Sequence, residues 1–132
     1  MSEELEIHVT GLNELIVDLG KASVKTLPAV EQVLSKGALN IKEDAARRIS
    51  GLAHAPAYPD SIGYDLYHLP GAAAVRIGPD KDKRQGALGN ILEFGTRNNP
   101  PHPHLAPALD TEAPKTEQYL ADVTQKLAEG TA

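Results

Sequence analysis

PAVEQVLSKGALNIKEDAARRI, residues 28–49, carries the clearest periodicity in the sequence and predicts one long amphipathic helix. Pro28 suits a first helical turn, where its missing N–H loses no hydrogen bond, and Gly51 is placed to end the helix. Apolar residues follow at spacings of three and four: Val30, Val33, Leu34, Ala38, Ile41, Ala45 and Ile49. Such a helix needs a partner layer to cover its apolar face.

Strands are predicted on both sides of this helix. Residues 5–10 (LEIHVT) alternate apolar and polar side chains until Gly11, which is typical of a half-buried strand. Residues 61–69 and 73–77 show the same alternation, and Pro70 and Gly71 between them suit the two central positions of a type II turn. These two runs therefore predict an antiparallel hairpin.

Three further segments complete the predicted domain. Residues 12–23 place Leu12, Leu15, Ile16 and Leu19 on one helical face, and residues 87–94 fit either a short helix or a strand. A last amphipathic helix follows residue 105, and Pro114 should kink it or restart it near Asp110 or Thr111. The sequence predicts one α+β domain over residues 1–132: a small antiparallel sheet packed against one long central helix, with a proline-linked C-terminal helix. We expect the N-terminal strand and the last residues to be flexible.

The composition predicts a protein that is stabilised partly by association. With one Phe, one Met and no Trp among 132 residues, the core should be modest. The formal net charge of −5 argues against a general nucleic-acid coat, and the absence of cysteine excludes disulfides and zinc–thiolate sites. The acidic start MSEELEIH is not a secretory signal, and no long apolar run is present, so we expect synthesis in the cytoplasm and no membrane partner.

His102 and His104 are the candidates for a metal site. In an extended segment they would point the same way, and His54 or His68 would complete a three-nitrogen site. However, no carboxylate lies at a close ligand spacing, and Pro103 belongs equally well in a stiff connector. We favour the connector and assign no metal or cofactor. A small metal-dependent enzyme using His102 and His104 stays open as an alternative.

Lys81, Lys83 and Arg84 are a possible contact for DNA phosphates. They lie in the loop PDKDKRQG (79–86), where two aspartates against three cations leave a charge of +1. A solvated, mobile loop is favoured, and a DNA-contacting module is a second alternative.

Glu93 is a carboxylate inside an apolar run, ILEF (91–94). A buried carboxylate is costly unless it is paired, so we expect an ion pair with Arg76 or Arg97, or else a contact across a subunit interface.

Motifs of catalysis are weak throughout the sequence. The glycines do not form the phosphate-binding pattern G-x-x-x-x-G-K-[ST], and no serine lies in a G-x-S-x-G turn. Glu43 and Asp44 fall on the polar face of the long helix. We therefore predict that the chain is not an enzyme.

The segments ILEFGT (91–96) and PPHPHLAPALD (100–110) resemble the small neck or tail-completion proteins of long-tailed bacteriophages, of the lambdoid tail-component type. In that family an apolar-Glu-aromatic-Gly-Thr segment precedes a proline-containing link that ends Pro-aromatic-Leu-x-Pro-Ala-Leu. The matching residues are Glu93, Phe94, Gly95, Thr96, Pro103, Leu105, Pro107, Ala108 and Leu109. The general layout is similar from about residue 11 to 128, with departures at AYPDSIGYDL (57–66) and at His104, where the family usually has an aromatic residue.

The resemblance implies a structural virion protein at the head–tail joint, assembled in the host cytoplasm. Identical subunits would form a closed ring, a hexamer matching a tail tube, through head-to-tail contacts. Implied partners are other connector, tail-terminator or tail-tube proteins and genomic DNA passing through the channel. The matched residues and His104 would form the architecture and the interface, with Gly95 allowing a sharp turn and His104 half packed and half polar.

Overall fold

The computed structural model describes residues 5–20 and 26–129. Its strands and helices are β1 (Glu6–Thr10), β2 (Glu14–Asp18), α1 (Thr26–Arg48), β3 (Ile62–Leu69), β4 (Ala72–Pro79), α2 (Gly89–Phe94) and α3 (Leu105–Ala128). Two short 3-10 helices, Tyr58–Ser61 and Gly86–Leu88, lie before β3 and before α2. The α+β class, the central helix and the C-terminal helix are as predicted.

The sheet is antiparallel throughout, with the strand order β1-β2-β4-β3. Alternate side chains of β2 and β4, Leu15, Val17, Val75 and Ile77, are fully buried in one core with the apolar face of α1. The predicted β3–β4 hairpin is confirmed. At its turn Gly71 has φ +70°, the positive value that a type II turn requires at this position.

The helix predicted for residues 12–23 is wrong where the structure describes it, because residues 14–18 form β2. A positive φ of +62° at Gly11 turns the chain back from β1, and β2 then pairs with β1 and with β4. Leu15 and Val17 both point into the core, as alternate residues of a strand do. Five residues are too few to separate a helical from a strand periodicity, so the pairing with neighbouring strands decides the structure. The N-terminal strand, which was predicted to be flexible, is β1 and pairs with β2. Residues 21–23 of the helix prediction, and residues 130–132 of the predicted flexible C-terminal end, lie outside the described residues.

The predicted restart of the last helix is also wrong. Helix α3 runs from Leu105 to Ala128 with Pro114 inside it. Thr111 does not cap a new turn, since its hydroxyl donates to the carbonyl of Pro107 at 2.9 Å. Pro114 removes one N–H donor, but Asp110 and Pro114 are both exposed, so water can reach the carbonyl that lost its partner.

Gly37 sets how closely α1 and α3 approach. A Cβ atom at this position would lie 2.6 Å from Oγ1 of Thr116 on α3. That hydroxyl is buried and has no hydrogen-bond partner within the described part of the chain. The two helices therefore touch through a glycine and a tightly enclosed threonine.

We expect Gly37→Ala to lower the free energy of unfolding by about 1–2 kcal/mol, because the clash outweighs a gain of about 1 kcal/mol in helix propensity. In a Thr116→Ala background the same change should instead stabilise, by about 0.5 kcal/mol. Thermal unfolding of the four proteins, followed by circular dichroism, measures both effects. Stabilisation by Gly37→Ala in both backgrounds would contradict the close approach.

Candidate functional site

The carboxylate of Glu93 binds the start of another helix. It is 5% exposed. Its Oε1 accepts hydrogen bonds from the backbone N–H groups of His104 at 3.1 Å and Leu105 at 2.9 Å, and its Oε2 accepts one from Ala106 at 3.3 Å. The first N–H groups of a helix have no partner inside it and carry a partial positive charge. A carboxylate from α2 therefore caps α3.

The predicted ion pair of Glu93 with Arg76 or Arg97 is wrong. Arg76 donates to Glu14 at 3.0 Å and lies 5.4 Å from the ring centre of Tyr67. In residues 5–20 and 26–129 no ion pair joins Glu93 to Arg97. The three backbone N–H groups supply the compensation that the buried charge needs, in a form that requires no cationic side chain.

His104 continues the network from Glu93 to Tyr58. Its ring is fully buried, with Nδ1 lying 2.9 Å from the carbonyl oxygen of His102 and 3.1 Å from Oε1 of Glu93. Two acceptors at Nδ1 place a hydrogen there, so in a neutral ring Nε2 accepts the hydroxyl hydrogen of Tyr58 at 2.7 Å. His104 thus packs and bonds as the polar aromatic residue that we predicted, but it is completely rather than half buried.

Tyr58 is the residue that the sequence analysis missed. It lies in the 3-10 helix Tyr58–Ser61, fully buried, with its ring at 89° to that of His104 and 5.2 Å between ring centres. Burial, and then the negative charge of Glu93, raise the pKa of its phenol above the ordinary value. Its only signal in the sequence is an aromatic residue between two prolines, which does not predict a partner 46 positions away.

The raised pKa of Tyr58 predicts a loss of stability in alkali. The unfolded chain ionises this phenol near its ordinary pKa of 10.0, whereas the folded chain keeps it neutral at higher pH. Its contribution is therefore fully present below pH 10.0 and is lost as the pH rises above that value. Urea unfolding at about pH 9 and about pH 11 should show a steeper loss in the wild type than in Tyr58→Phe, by up to about 1.4 kcal/mol per pH unit. Equal losses would contradict it.

The Tyr58–His104 hydrogen bond predicts strong coupling between these two side chains. His104→Phe, which introduces an aromatic residue of the kind usual in the resembled family, should cost about 2 kcal/mol because the Tyr58 hydroxyl is left buried without its acceptor. Tyr58→Phe should cost about 1–2 kcal/mol, and the double variant less than the sum by about 1 kcal/mol. A double-mutant cycle of unfolding free energies measures this coupling, and strict additivity would argue against the bond.

The link between α2 and α3, residues 95–104, is held at several points. Gly95 has φ +76° and lies against Pro101, which confirms the predicted sharp turn. Thr96 and Asn99 exchange two backbone hydrogen bonds of 2.9 and 3.2 Å, and the N–H of His102 donates to the carbonyl of Leu92 at 2.6 Å. The link is therefore a segment whose backbone is fixed by hydrogen bonds. After it, Leu105, Ala108 and Leu109 are buried in the core, while Pro103 is exposed and Pro107 is partly exposed.

Phe94 stands next to this anchored network and points outward. It is the sole phenylalanine of the chain and is 62% exposed, and Ile91 on the same short helix is also exposed. A groove of about 770 Å³ runs past it, lined also by Tyr64 of β3 and by Lys81 and Lys83.

The structure does not bring the candidate metal ligands together. His54 and His102 are exposed, His68 contacts Glu31 on α1 at 3.0 Å, and both ring nitrogens of His104 are engaged. Among the residues with described positions, no group of three or more His, Asp or Glu side chains is placed to hold a metal ion. His104 would have to leave its partners before it could coordinate one.

Arg84 is exposed, as are the two lysines at the groove. No helix in the described ranges is long and apolar enough to cross a membrane.

Comparison of the chain with protein-family models, curated proteins and solved structures gave no match. A functional proposal therefore depends on the geometry above and on the resemblance of residues 91–110.

Proposed function

We propose that this chain is a structural, non-enzymatic protein of a bacteriophage virion, where identical copies form a closed ring at the joint between head and tail. The proposal is supported by the resemblance of residues 91–110 to neck and tail-completion proteins. In the fold, those residues form one hydrogen-bonded unit. Glu93, the link and the start of α3 are joined by the hydrogen bonds described above.

Phe94 is the observation that carries the proposal. A large aromatic side chain that is 62% exposed in a monomer is typical of a contact surface, and aromatic residues often provide much of the binding energy. Its neighbour Glu93 is 5% exposed and bound to α3. The backbone that carries Phe94 is therefore already ordered before a partner binds, which lowers the entropy cost of binding.

The proposed partners follow from the position at the joint. Further copies of the chain, six in a ring that matches a tail tube, would contact one another head to tail, and connector, tail-terminator or tail-tube proteins would lie above and below. Genomic DNA would pass through the channel. The net charge of −5 would keep the phosphate backbone from adhering to the wall. The chain would be made in the host cytoplasm and finish in the virion, without a membrane partner.

Native mass spectrometry across a concentration series, followed by electron microscopy of the largest species, tests this proposal. The expected result is one closed ring with a central channel. Phe94→Ser should weaken it, whereas Ser50→Thr, a change of an exposed side chain after α1, should leave it unchanged. Two-fold dimers or open fibres at every concentration would contradict the ring. A strict monomer would contradict spontaneous assembly and require a preformed surface on a neighbouring protein.

A further inference from the structure

Strand β3 forms one edge of the sheet, and most of its outward backbone groups have no partner among the described residues. Just beyond the strand, the N–H of Asp80 donates to the carbonyl of Ser61 at 2.8 Å, which identifies this pair as hydrogen-bonded. In an antiparallel ladder, such pairs alternate with pairs that are not hydrogen-bonded. The outward residues of β3 are therefore Ile62, Tyr64, Leu66 and His68. The N–H of Ile62 donates to the carbonyl of Pro59. No hydrogen bond between described residues reaches the backbone groups of Tyr64, Leu66 and His68.

Strand β1 forms the opposite edge in the same way. The N–H of Ile77 donates to the carbonyl of Asn13 at 2.9 Å, so the odd-numbered residues of β2 bond to β4 and the even-numbered ones bond to β1. Ile7 and Val9 are left facing outward, again without a backbone partner among the residues described.

The two edges match in their side chains. Val9 lies opposite Leu15, and Tyr64 lies opposite Ile77, so both are on the face of the sheet that packs on α1. Yet Val9 is 47% and Tyr64 37% exposed, so this face is incompletely covered at both edge strands. Monomeric proteins commonly protect an edge strand with lysine or proline. Strands EIHVT and IGYDLYHL contain neither.

The strand directions suit a ring. In the order β1-β2-β4-β3 with every neighbour antiparallel, β1 and β3 run in opposite directions. Rotation about an axis along the strands preserves direction, so β1 of one copy would lie antiparallel to β3 of the next. This is a heterologous contact, which closes into a ring when the rotation angle allows it.

The groove fits the same arrangement. In an antiparallel junction, the turn after β1 reaches the start of β3, which is the end where Tyr64 and Phe94 line the groove of about 770 Å³.

We propose that copies of this chain join by adding β1 of one copy to the β3 edge of the next, with the β1–β2 turn seated in the groove beside Phe94. This inference rests on the proposed ring and identifies its two contacting surfaces. The partner is a second copy of the same chain.

Lysine substitutions on each edge test the inference in the full chain. Val9→Lys blocks the β1 edge, Tyr64→Lys blocks the β3 edge, and Ala53→Lys adds the same charge at an exposed position outside the sheet. Native mass spectrometry and sedimentation should give wild-type rings for Ala53→Lys and monomers for the two edge variants. Their assembly midpoint should rise by about tenfold or more. Circular dichroism verifies that each variant is folded.

A mixture of the two edge variants distinguishes β1–β3 pairing from other contacts between copies. Each retains one intact edge, so an equimolar mixture should form heterodimers and no ring. Val9→Pro removes an outward N–H without breaking a bond to β2, and should also abolish rings without adding charge.

Three results would overturn the inference. Rings formed by both edge variants at the wild-type midpoint would place the contact elsewhere and leave the proposed function standing. Dimers of Val9→Lys would indicate β3–β3 pairing. A wild type that is monomeric at every concentration would exclude edge pairing. The proposed function would then require assembly on a neighbouring virion protein.

Discussion

We expect Glu93→Ala to lower the free energy of unfolding by about 4 kcal/mol, the largest effect of any single change considered for this chain. The substitution removes the acceptor of three backbone N–H groups at the start of α3, and it also removes the carboxylate 3.1 Å from Nδ1 of His104. These donors lie in a buried or partly buried region, so water cannot fully replace the lost oxygens. A loss of this size is a large share of the stability of a small domain.

Urea unfolding followed by far-ultraviolet circular dichroism measures this loss. Glu117→Ala is the matched control, because it makes the same change at an exposed position on α3 and should alter stability by less than about 0.5 kcal/mol. Glu93→Gln keeps the shape but loses the charge, and should cost about 2 kcal/mol. A loss below 1 kcal/mol for Glu93→Ala would mean that the cap contributes little, against what its burial implies.

Gly95→Ala should destabilise the chain by about 3 kcal/mol, which is the second largest expected effect. Gly95 has φ +76° and ψ −179°, a combination that is essentially restricted to glycine. An added Cβ atom would also lie 2.7 Å from the backbone nitrogen of Pro101 and 2.8 Å from the carbonyl oxygen of Asn99. Both contacts are with backbone atoms, so the whole link would have to move.

Gly63→Ala is the matched control for this prediction. Gly63 has no atom within 4 Å of the site where a Cβ would stand, so alanine should change stability by no more than about 0.5 kcal/mol. Thermal unfolding of both variants gives the comparison. Similar melting temperatures for Gly95→Ala and the wild type would show that the link can rearrange without loss.

The sequence predicted the elements that have a long periodic pattern or a clear turn motif. Helix α1 has a pattern of 22 residues, and the β3–β4 hairpin is marked by Pro70 and Gly71. Strand β2 was missed because Leu12, Leu15, Ile16 and Leu19 fit a helix while Leu15 and Val17 fit a strand. What decided between them is pairing with β4, some 60 residues away, which local periodicity does not contain.

The candidate site was predicted in part. The cost of burying Glu93 was evident from its apolar neighbours, but its partners were not, because they are backbone N–H groups whose availability depends on where α3 begins. The sequence placed the last helix after residue 105, but Pro114 suggested a kink or a new start near Asp110 or Thr111, whereas α3 runs from Leu105 to Ala128. Tyr58 has no motif at all, and only the folded chain brings its hydroxyl to His104.

The cap from Glu93 also determines how α3 opens. At most helix starts, the first amide hydrogens face water and exchange with solvent quickly. Here those of His104, Leu105 and Ala106 are bound to a carboxylate on α2, while the N–H of His102 is held by Leu92. These amides cannot exchange until α2 moves away, so α2, the link and the first turn of α3 should open to solvent as one unit.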